Sequence, residues 1–461
     1  MSCILFFDDL ALLSYDNLQR LQGKPVWRPE ATLEDKLTEG TFNFPCVWRD
    51  EAAGLYRAVY GAPLTGENGA GLTIPPLYAE SPDGIHWTIP NLTEELKLPG
   101  EIRAVNQVFP CTPFMACGPA YYDPHDPDPD RRLKAFVLFH TYRALITSPV
   151  DGKHWTVAKE YKNQASTDFP ISLFYNRGQR KYVISGRQCP PGRKADRRVI
   201  TLMETADWRE FSQPQNVAHL TPNDPPLCDF YGQSVFEYEG LYIGLLWRIF
   251  GNSTLNQVPC WGGMLDNVLT YSYDGRFFNR GLPQAFIEPN ELGQHGCGSI
   301  YTSSMLIDES NQIRFYSGAS KSEHFLDRTL TDAALMLHTM RLDGFYYLKT
   351  LSSPGHLRTL GLTVKGPDLR INVCSPYGAV KAQLLDHSGK IIEGCAFKDC
   401  EPFKGDALFW TPEWKSGKRG FSGCVENDIV FLELELTSAA LYAIRGDFET
   451  FALYSTSWDA K

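Results

Sequence analysis

The segment LYAESPDGIHWTIP, residues 77–90, sets an Asp-Gly pair between apolar flanks and places a tryptophan three residues after the glycine. Asp-Gly in that setting is a hairpin signal, because Gly84 tolerates positive φ and Asp83 can bond back onto its own turn. The arrangement recurs at Asp151-Gly152 in TSPVDGKHWTVAKEY, at Asp274-Gly275 in YSYDGRFFNRG and at Asp343-Gly344 in LDGFYYLKT, with Trp155, Phe278 and Tyr347 in the place of Trp87. The wide gap between Gly152 and Gly275 leaves room for one degenerate copy, and ETADWREFSQ around Trp208 fills it. A repeat of roughly 60 to 70 residues holding four short strands is the signature of propeller blades.

Between the turns run short segments rich in Val, Ile, Phe and Tyr and bounded by Gly, Pro, Asn and Asp, such as KAFVLFHTY, KYVISG, LYIGLLW and IRFYSG. These read as strands. Helical periodicity is nearly absent, and DLALLSYDNLQRLQ, residues 9–22, is the stretch that could form a helix. Five copies of the repeat cover residues 39–349, with residues 1–38 as an N-terminal extension packing on them. After LSSPGHLRTLGLTVKG the pattern changes to longer alternating strands, DLRINVCS, AVKAQLLD, DIVFLELELT and ALYAIRG, so residues 350–461 read as a β-sandwich. The lack of helical crossovers argues against a parallel α/β fold. The expected fold class is all-β: a five-bladed β-propeller followed by a C-terminal β-sandwich.

Composition bounds the function. The 461 residues are 43% hydrophobic and 13% aromatic, ample for large cores. A net charge of −10 argues against nucleic-acid partners, whose phosphates are neutralised by Lys and Arg. The N-terminal MSCILFFDDLALL has no basic segment ahead of its apolar run, and Asp8 and Asp9 interrupt it, so neither a secretory signal nor a membrane span fits. A cytoplasmic location and no membrane partner are the expectations. The 12 cysteines show no Cys-x-x-Cys pairs and no zinc spacing, and read as reduced, buried small hydrophobes. No P-loop, dinucleotide fingerprint, His-Glu-x-x-His helix or Gly-x-Ser-x-Gly elbow is present.

In a propeller the first strand of each blade lines the central channel, and its start shares one face with the loop between the second and third strands. The Asp-Gly turns fall on the opposite face, where their aromatics read as packing between neighbouring blades. Acids recur near the inner-strand starts: Glu39, Glu101, Asp168 in ASTDFPISLFYN, Asp229 in LCDFYGQSVFEYEG, and Glu291 in EPNELGQHGCGSIYTSSM. An acid ahead of a strand can equally cap a turn or face water. As a set, Asp168, Asp229, Glu101 and Glu291 are the catalytic candidates, because paired carboxylates whose pKa values are split by burial and repulsion can cleave a glycosidic bond.

Arg143 in FHTYRALITS, Arg187 in VISGRQCPPGR and Arg248 in GLLWRIFGN occupy corresponding ends of strand 2 in three successive blades, with Lys321 and His324 in the fifth. They could orient the carboxylates through bidentate bonds or grip substrate hydroxyls or an anionic group. Trp247, Tyr231, Trp261, Phe230 and Tyr142 lie in or near the same loops and supply rings on which sugars stack, although many will be core. His295 sits among glycines at the entry to the last blade, as a binding residue or as an ordinary turn residue. The chemistry requires no metal or organic cofactor.

This layout resembles the furanosidase superfamily of glycoside hydrolases, which includes invertase-like, levanase-like and arabinanase-like enzymes. ILFFDDLALL, YAESPDGIHW and LRINVCSPYGAVKAQLLDHSGKIIEG also look like bacterial relatives of glycosyl hydrolase family 32. STDFP resembles the Arg-Asp-Pro element of invertases, with Asp168 as the matching acid. LCDFYG resembles their Glu-Cys element, with Asp229 in place of Glu. Their Trp-Met-Asn-Asp-Pro-Asn-Gly box has no counterpart, and Glu101 stands where blade order puts a nucleophilic Asp. The resemblance implies an enzyme, a glycosidase of a small oligosaccharide or furanoside-like glycoside, with a small carbohydrate as its partner. The Asp-Gly-x-x-aromatic turns also resemble sialidase Asp boxes, which keeps a sialidase-like hydrolase of an anionic sugar open, and a non-catalytic carbohydrate-binding propeller is the third reading. The sandwich is a candidate subunit contact in a homo-oligomer.

Overall fold

The computed structural model describes residues 2–34, 43–61, 74–111, 115–139, 142–162, 171–188, 198–251, 263–324, 333–351 and 354–450. Their strands build five blades. Blade 1 takes Asn43–Asp50, Leu55–Gly61 and Pro76–Ser81, and blade 2 takes Ala116–Tyr122, Leu133–Leu138, Tyr142–Ser148 and Thr156–Lys162. Blade 3 takes Ser172–Asn176, Lys181–Gln188, Val199–Thr205 and Gln215–Ala218, and blade 4 takes Cys228–Tyr238, Leu241–Gly251, Gly263–Ser272 and Asn279–Arg280. Blade 5 combines Ser299–Ile307, Gln312–Ser320 and Ala333–Arg341 with two short pieces from early in the chain, Val26–Trp27 and Leu33–Glu34. Trp27 lies opposite His338 and Leu33 opposite Leu335, so backbone hydrogen bonds fasten the start of the propeller to its last blade.

The repeated turn follows the third strand of each blade. Asp83 Oδ1 accepts the N–H groups of Ile85 and His86, both at 2.8 Å, and Asp274 Oδ1 accepts those of Arg276 and Phe277 at 2.8 and 2.9 Å. A hydroxyl two residues before the Asp completes the turn: Ser81 and Ser272 each accept the glycine N–H at 2.9 Å. The degenerate copy keeps this wiring, with Asp207 accepting from Arg209 at 2.8 Å and Thr205 Oγ1 from Trp208 at 2.9 Å. Trp208, at φ 60°, takes the slot that Gly84 and Gly275 fill at 72°, and Phe211 becomes the ring three residues on.

The rings seal the joints between blades. Trp87 of blade 1 meets Tyr316 of blade 5 edge-on at 6.0 Å, Trp155 of blade 2 shares a core with Trp48 of blade 1, and Phe278 of blade 4 packs with Phe174 of blade 3. Trp155 is buried and stabilises its joint by roughly 1.5–3 kcal/mol, while Trp87 and Phe278 are half-buried and contribute less. The last copy differs, because Tyr347 falls in the second compact unit and packs on Tyr442 at 5.1 Å.

That unit comprises Met1–Lys24 and Arg341–Lys461, and the propeller unit Pro25–Met340. Nine strands form one continuous sheet around the long strand Leu362–Leu385, which exchanges partners along its length. Leu369–Cys374 pair with Ala440–Thr450, and Val380–Leu385 with Ile429–Thr437. Alternate residues Leu369, Ile371, Val373, Val380, Ala382 and Leu384 are buried with Leu432, Leu434 and Leu436, which gives the sandwich its core.

The helix expected over residues 9–22 is replaced by two strands, Leu12–Asp16 and Leu18–Gln22. Asn17 separates them at φ 54°, a left-handed conformation that breaks a helix and that Asn tolerates. Leu12 and Leu18 enter the sandwich core, so sheet pairing outweighs a weak helical pattern. Residues 1–24 therefore belong with the C-terminal unit, and the sequence-based boundaries at 38/39 and 349/350 differ from the structural ones at 24/25 and 340/341. No described helix is long and apolar enough to cross a membrane.

Candidate functional site

Side chains from four blades converge at the entry ends of the inner strands. In blade 4 the register skips Tyr231: Phe230 lies opposite Arg248, while Gly232 lies opposite Trp247. Such a bulge re-aims the extra residue, and bulges concentrate next to active sites. The inner strands of blades 1 and 5 are irregular too, between Asn43 and Cys46 and between Thr302 and Ser304, with Phe44 at φ 47°. Gly232 is required for the approach, because a Cβ there would stand 2.4 Å from Ile171 Cγ2 and 2.9 Å from the Trp247 ring. The product is one buried cluster of Phe44, Ile171, Tyr231, Trp247, Ile249, Leu265 and Tyr301. Phe44 stacks on Trp247 at 5.6 Å, Tyr301 meets Trp247 edge-on at 5.5 Å, and Tyr231 lies 5.3 Å from Tyr301.

Charged groups are set against this aromatic wall. Asp229 is 2% exposed, and its Oδ1 accepts the backbone N–H groups of Arg198 at 2.8 Å and Phe230 at 3.0 Å. The Arg187 guanidinium lies 4.1 Å from the Tyr231 ring centre and donates to the Tyr231 carbonyl at 3.2 Å. Arg198 lies 5.3 Å from the same ring. Both fall within cation–π range. His324 Nδ1 is 2.7 Å from the Tyr301 hydroxyl, and its backbone is fixed by a bridge to Gly263. Burial pushes the Tyr301 phenol well above the ordinary tyrosine range; Tyr231 adds to the shift, while Ser299, Arg187 and Arg198 oppose it. The phenol is therefore neutral at physiological pH.

The structure brings together Asp229, Tyr231, Arg187 and His324 from the sequence-derived candidates. Asp168, like Glu39 and Trp261, lies outside the described residues, as does the side chain of Tyr142. Trp247 is 0% exposed and its indole N–H donates to the Thr302 carbonyl at 3.1 Å, so it forms the floor of the cluster. Arg248 is tied to Asp266 through two bonds of 2.9 and 2.6 Å and to the Pro283 carbonyl at 3.0 Å. Burial raises the Asp266 carboxyl while Arg248 opposes the rise. Arg143 sits at the start of the third strand of blade 2, opposite Leu138 and Tyr161, and not at the end of the second strand where the sequence suggested it.

His295 is buried, with Nε2 3.4 Å from Glu34 of the closing strand. Glu101 and Glu291 stand on exposed loops, and Glu101 pairs with Arg103 at 3.0 Å. The inner strands begin at 43, 116, 172, 228 and 299, so Glu101 lies well ahead of its strand whereas Asp229 lies inside its own. The regular spacing of acids therefore does not follow the spacing of strand starts. Arg198, Tyr301 and Phe44 complete the cluster without having been singled out from the sequence. An aromatic among the first four residues of the inner strand, at Phe44, Tyr231 and Tyr301, was the available signal. Among the described residues no three His, Cys, Asp or Glu side chains are grouped to hold a metal ion.

No family model matches the sequence, and no curated protein matches it significantly. Solved structures resemble it in part. A glycosyl hydrolase from Bacteroides ovatus gives a TM-score of 0.42 at 13% identity, covering 70% of this chain and 94% of its own. A glycoside hydrolase family 43 arabinoxylan arabinofuranohydrolase from Bacillus subtilis gives 0.37 at 10% identity, covering 89% and 96%. An exo-beta-1,3-galactanase from Phanerochaete chrysosporium gives 0.40 at 6% identity, covering 92% and 99%. At these scores the likeness assigns no activity to this chain.

Proposed function

We propose that this chain is a glycoside hydrolase working at the entry ends of blades 3, 4 and 5, with Asp229 as its central carboxylate. The observation that carries the reading is the burial of Asp229 beside Tyr231, Arg187 and Arg198, with one oxygen held by two backbone N–H groups. Glycosidic cleavage develops positive charge at the anomeric carbon and needs a proton delivered to the leaving oxygen. A carboxylate fixed by main-chain donors needs no reorganisation as that charge forms, and it can stabilise the charge, attack the carbon or activate water. Asp168 is the second carboxylate of the proposal. In sequence it stands three residues ahead of Ile171, which packs in the same cluster as Tyr231. A separation of about 5 Å between the two carboxyls would make the enzyme retaining, and about 6.5–9.5 Å inverting.

The substrate class in this reading is a small oligosaccharide or glycoside, furanoside-like on the sequence resemblance, met in the cytoplasm. The test is turnover of aryl furanosides, pyranosides and sialosides by wild-type protein and by Asp229→Asn and Asp168→Asn. The expected outcome is hydrolysis of at least one class, with kcat reduced about 10³-fold or more in each variant at unchanged thermal stability, as for loss of a group acting on the transition state. A wild-type protein that binds sugars without turning any over is a lectin-like propeller, and Asp229→Asn at the wild-type rate removes Asp229 from the chemistry.

A further inference from the structure

Six arginines are buried among the described residues: four hold carboxylates, Arg187 donates to the Tyr231 carbonyl, and Arg198 stands apart. Arg57, Arg248, Arg314 and Arg445 are each 7–9% exposed, and each holds a carboxylate: Asp50, Asp266, Asp308 and Asp343 respectively. A guanidinium remains charged at any physiological pH, so when it leaves water it needs a counter-charge or full hydrogen bonding. Arg198 is 8% exposed and forms no ion pair among the described residues, and its Nη1 is buried without a hydrogen-bond partner. Its backbone N–H is committed to Asp229, and the guanidinium projects towards the Tyr231 ring that Arg187 also covers. The exception thus falls in the candidate active site.

We infer that Arg198 is the anion-binding residue of this site, and that the substrate is an acidic sugar whose carboxylate pairs with Arg198 beside Tyr231. A planar carboxylate matches the guanidinium fork in a way a sugar hydroxyl does not, and a charged acceptor satisfies both the charge and the idle donor. The Tyr231 ring centre lies 5.3 Å from the Arg198 guanidinium, and Asp229 accepts the Arg198 backbone N–H, so an anion held by Arg198 would sit beside both. The chemical class is a uronic or related acidic glycoside. The inference rests on the glycosidase reading for the reaction, but its binding half stands without it.

The experiment measures equilibrium binding of D-galacturonate and D-glucuronate against D-galactose and D-glucose by calorimetry, on wild type, Arg198→Met and Asp229→Asn. Aryl uronides and the matching neutral glycosides are assayed for turnover in parallel. The expected result is an acid bound about 10- to 100-fold more tightly than its neutral parent by wild type, the range of a charge-assisted pair. Raising the salt concentration weakens only the acid, and Arg198→Met brings the ratio close to one. Asp229→Asn loses turnover and keeps the preference. Equal binding of acid and neutral sugars by wild type overturns the inference whatever the fate of the variants, and leaves the glycosidase reading to its own assay. Acid preference without turnover of any aryl glycoside supports the anion site and rejects the hydrolase. A preference that survives in folded Arg198→Met also overturns the inference.

Discussion

Replacing His338 by Leu should remove one acid-sensitive contribution to the stability of the propeller. His338 lies on the third strand of blade 5, opposite Trp27 of the closing strand, and is 3% exposed with Nδ1 lacking a hydrogen-bond partner. Burial pushes its pKa down from 6.5 to about 4. Between those values the unfolded chain binds a proton that the folded protein refuses, so stability is fully present above pH 6.5 and is lost as pH falls towards 4. At 1.36 kcal/mol per pKa unit the loss is about 3 kcal/mol. Leu fills a similar volume and carries no proton. Urea unfolding followed by tryptophan fluorescence, from pH 7.5 down to pH 4, measures the stability of both proteins. The wild-type advantage over His338→Leu should shrink by about 3 kcal/mol across that window. Parallel curves would show that His338 is protonated in the folded state or reaches water, and the argument from burial would fail.

Two further substitutions probe the frame around the site. Asp266→Ala strands Arg248 without its carboxylate and should cost about 3–5 kcal/mol in urea unfolding; unchanged stability would release Arg248 for a role with substrate. Gly232→Ala forces a methyl into Ile171 and Trp247 and should cost about 1–3 kcal/mol, read as a lower thermal midpoint; an unchanged midpoint would contradict the close approach.

The propeller was legible because its turns carry their own wiring. The Asp and the ring three residues after the glycine serve local hydrogen bonds and packing, and in blades 1, 3 and 4 a hydroxyl two residues before the Asp adds to them, so the pattern persists even where Trp208 has displaced the glycine. The closing strands were not legible, since two-residue pairings such as Val26–Trp27 show no periodicity and owe their conformation to a partner some 300 residues away, where no local pattern reaches. At the site, Asp229 and Tyr231 could be read from an acid and an aromatic at the head of a buried strand. Glu101 and Glu291 stand on exposed loops of unequal length ahead of their inner strands, so a regular spacing of acids does not follow the spacing of strand starts. Arg198 was hidden in GRKADRR, a basic run that looks solvated. Only the tertiary structure shows that Arg198 is buried.

The early chain serves both units in turn: residues up to 24 join the sandwich, and the next ten supply the outer edge of blade 5. A ribosome therefore releases the clasp of the ring, Val26–Trp27 and Leu33–Glu34, long before its socket, Ala333–Arg341. Until that strand emerges, the clasp has no edge to pair with, and the nascent propeller must wait open. Excising residues 39–349 as a stand-alone propeller would discard the clasp, Val26–Trp27 and Leu33–Glu34, altogether.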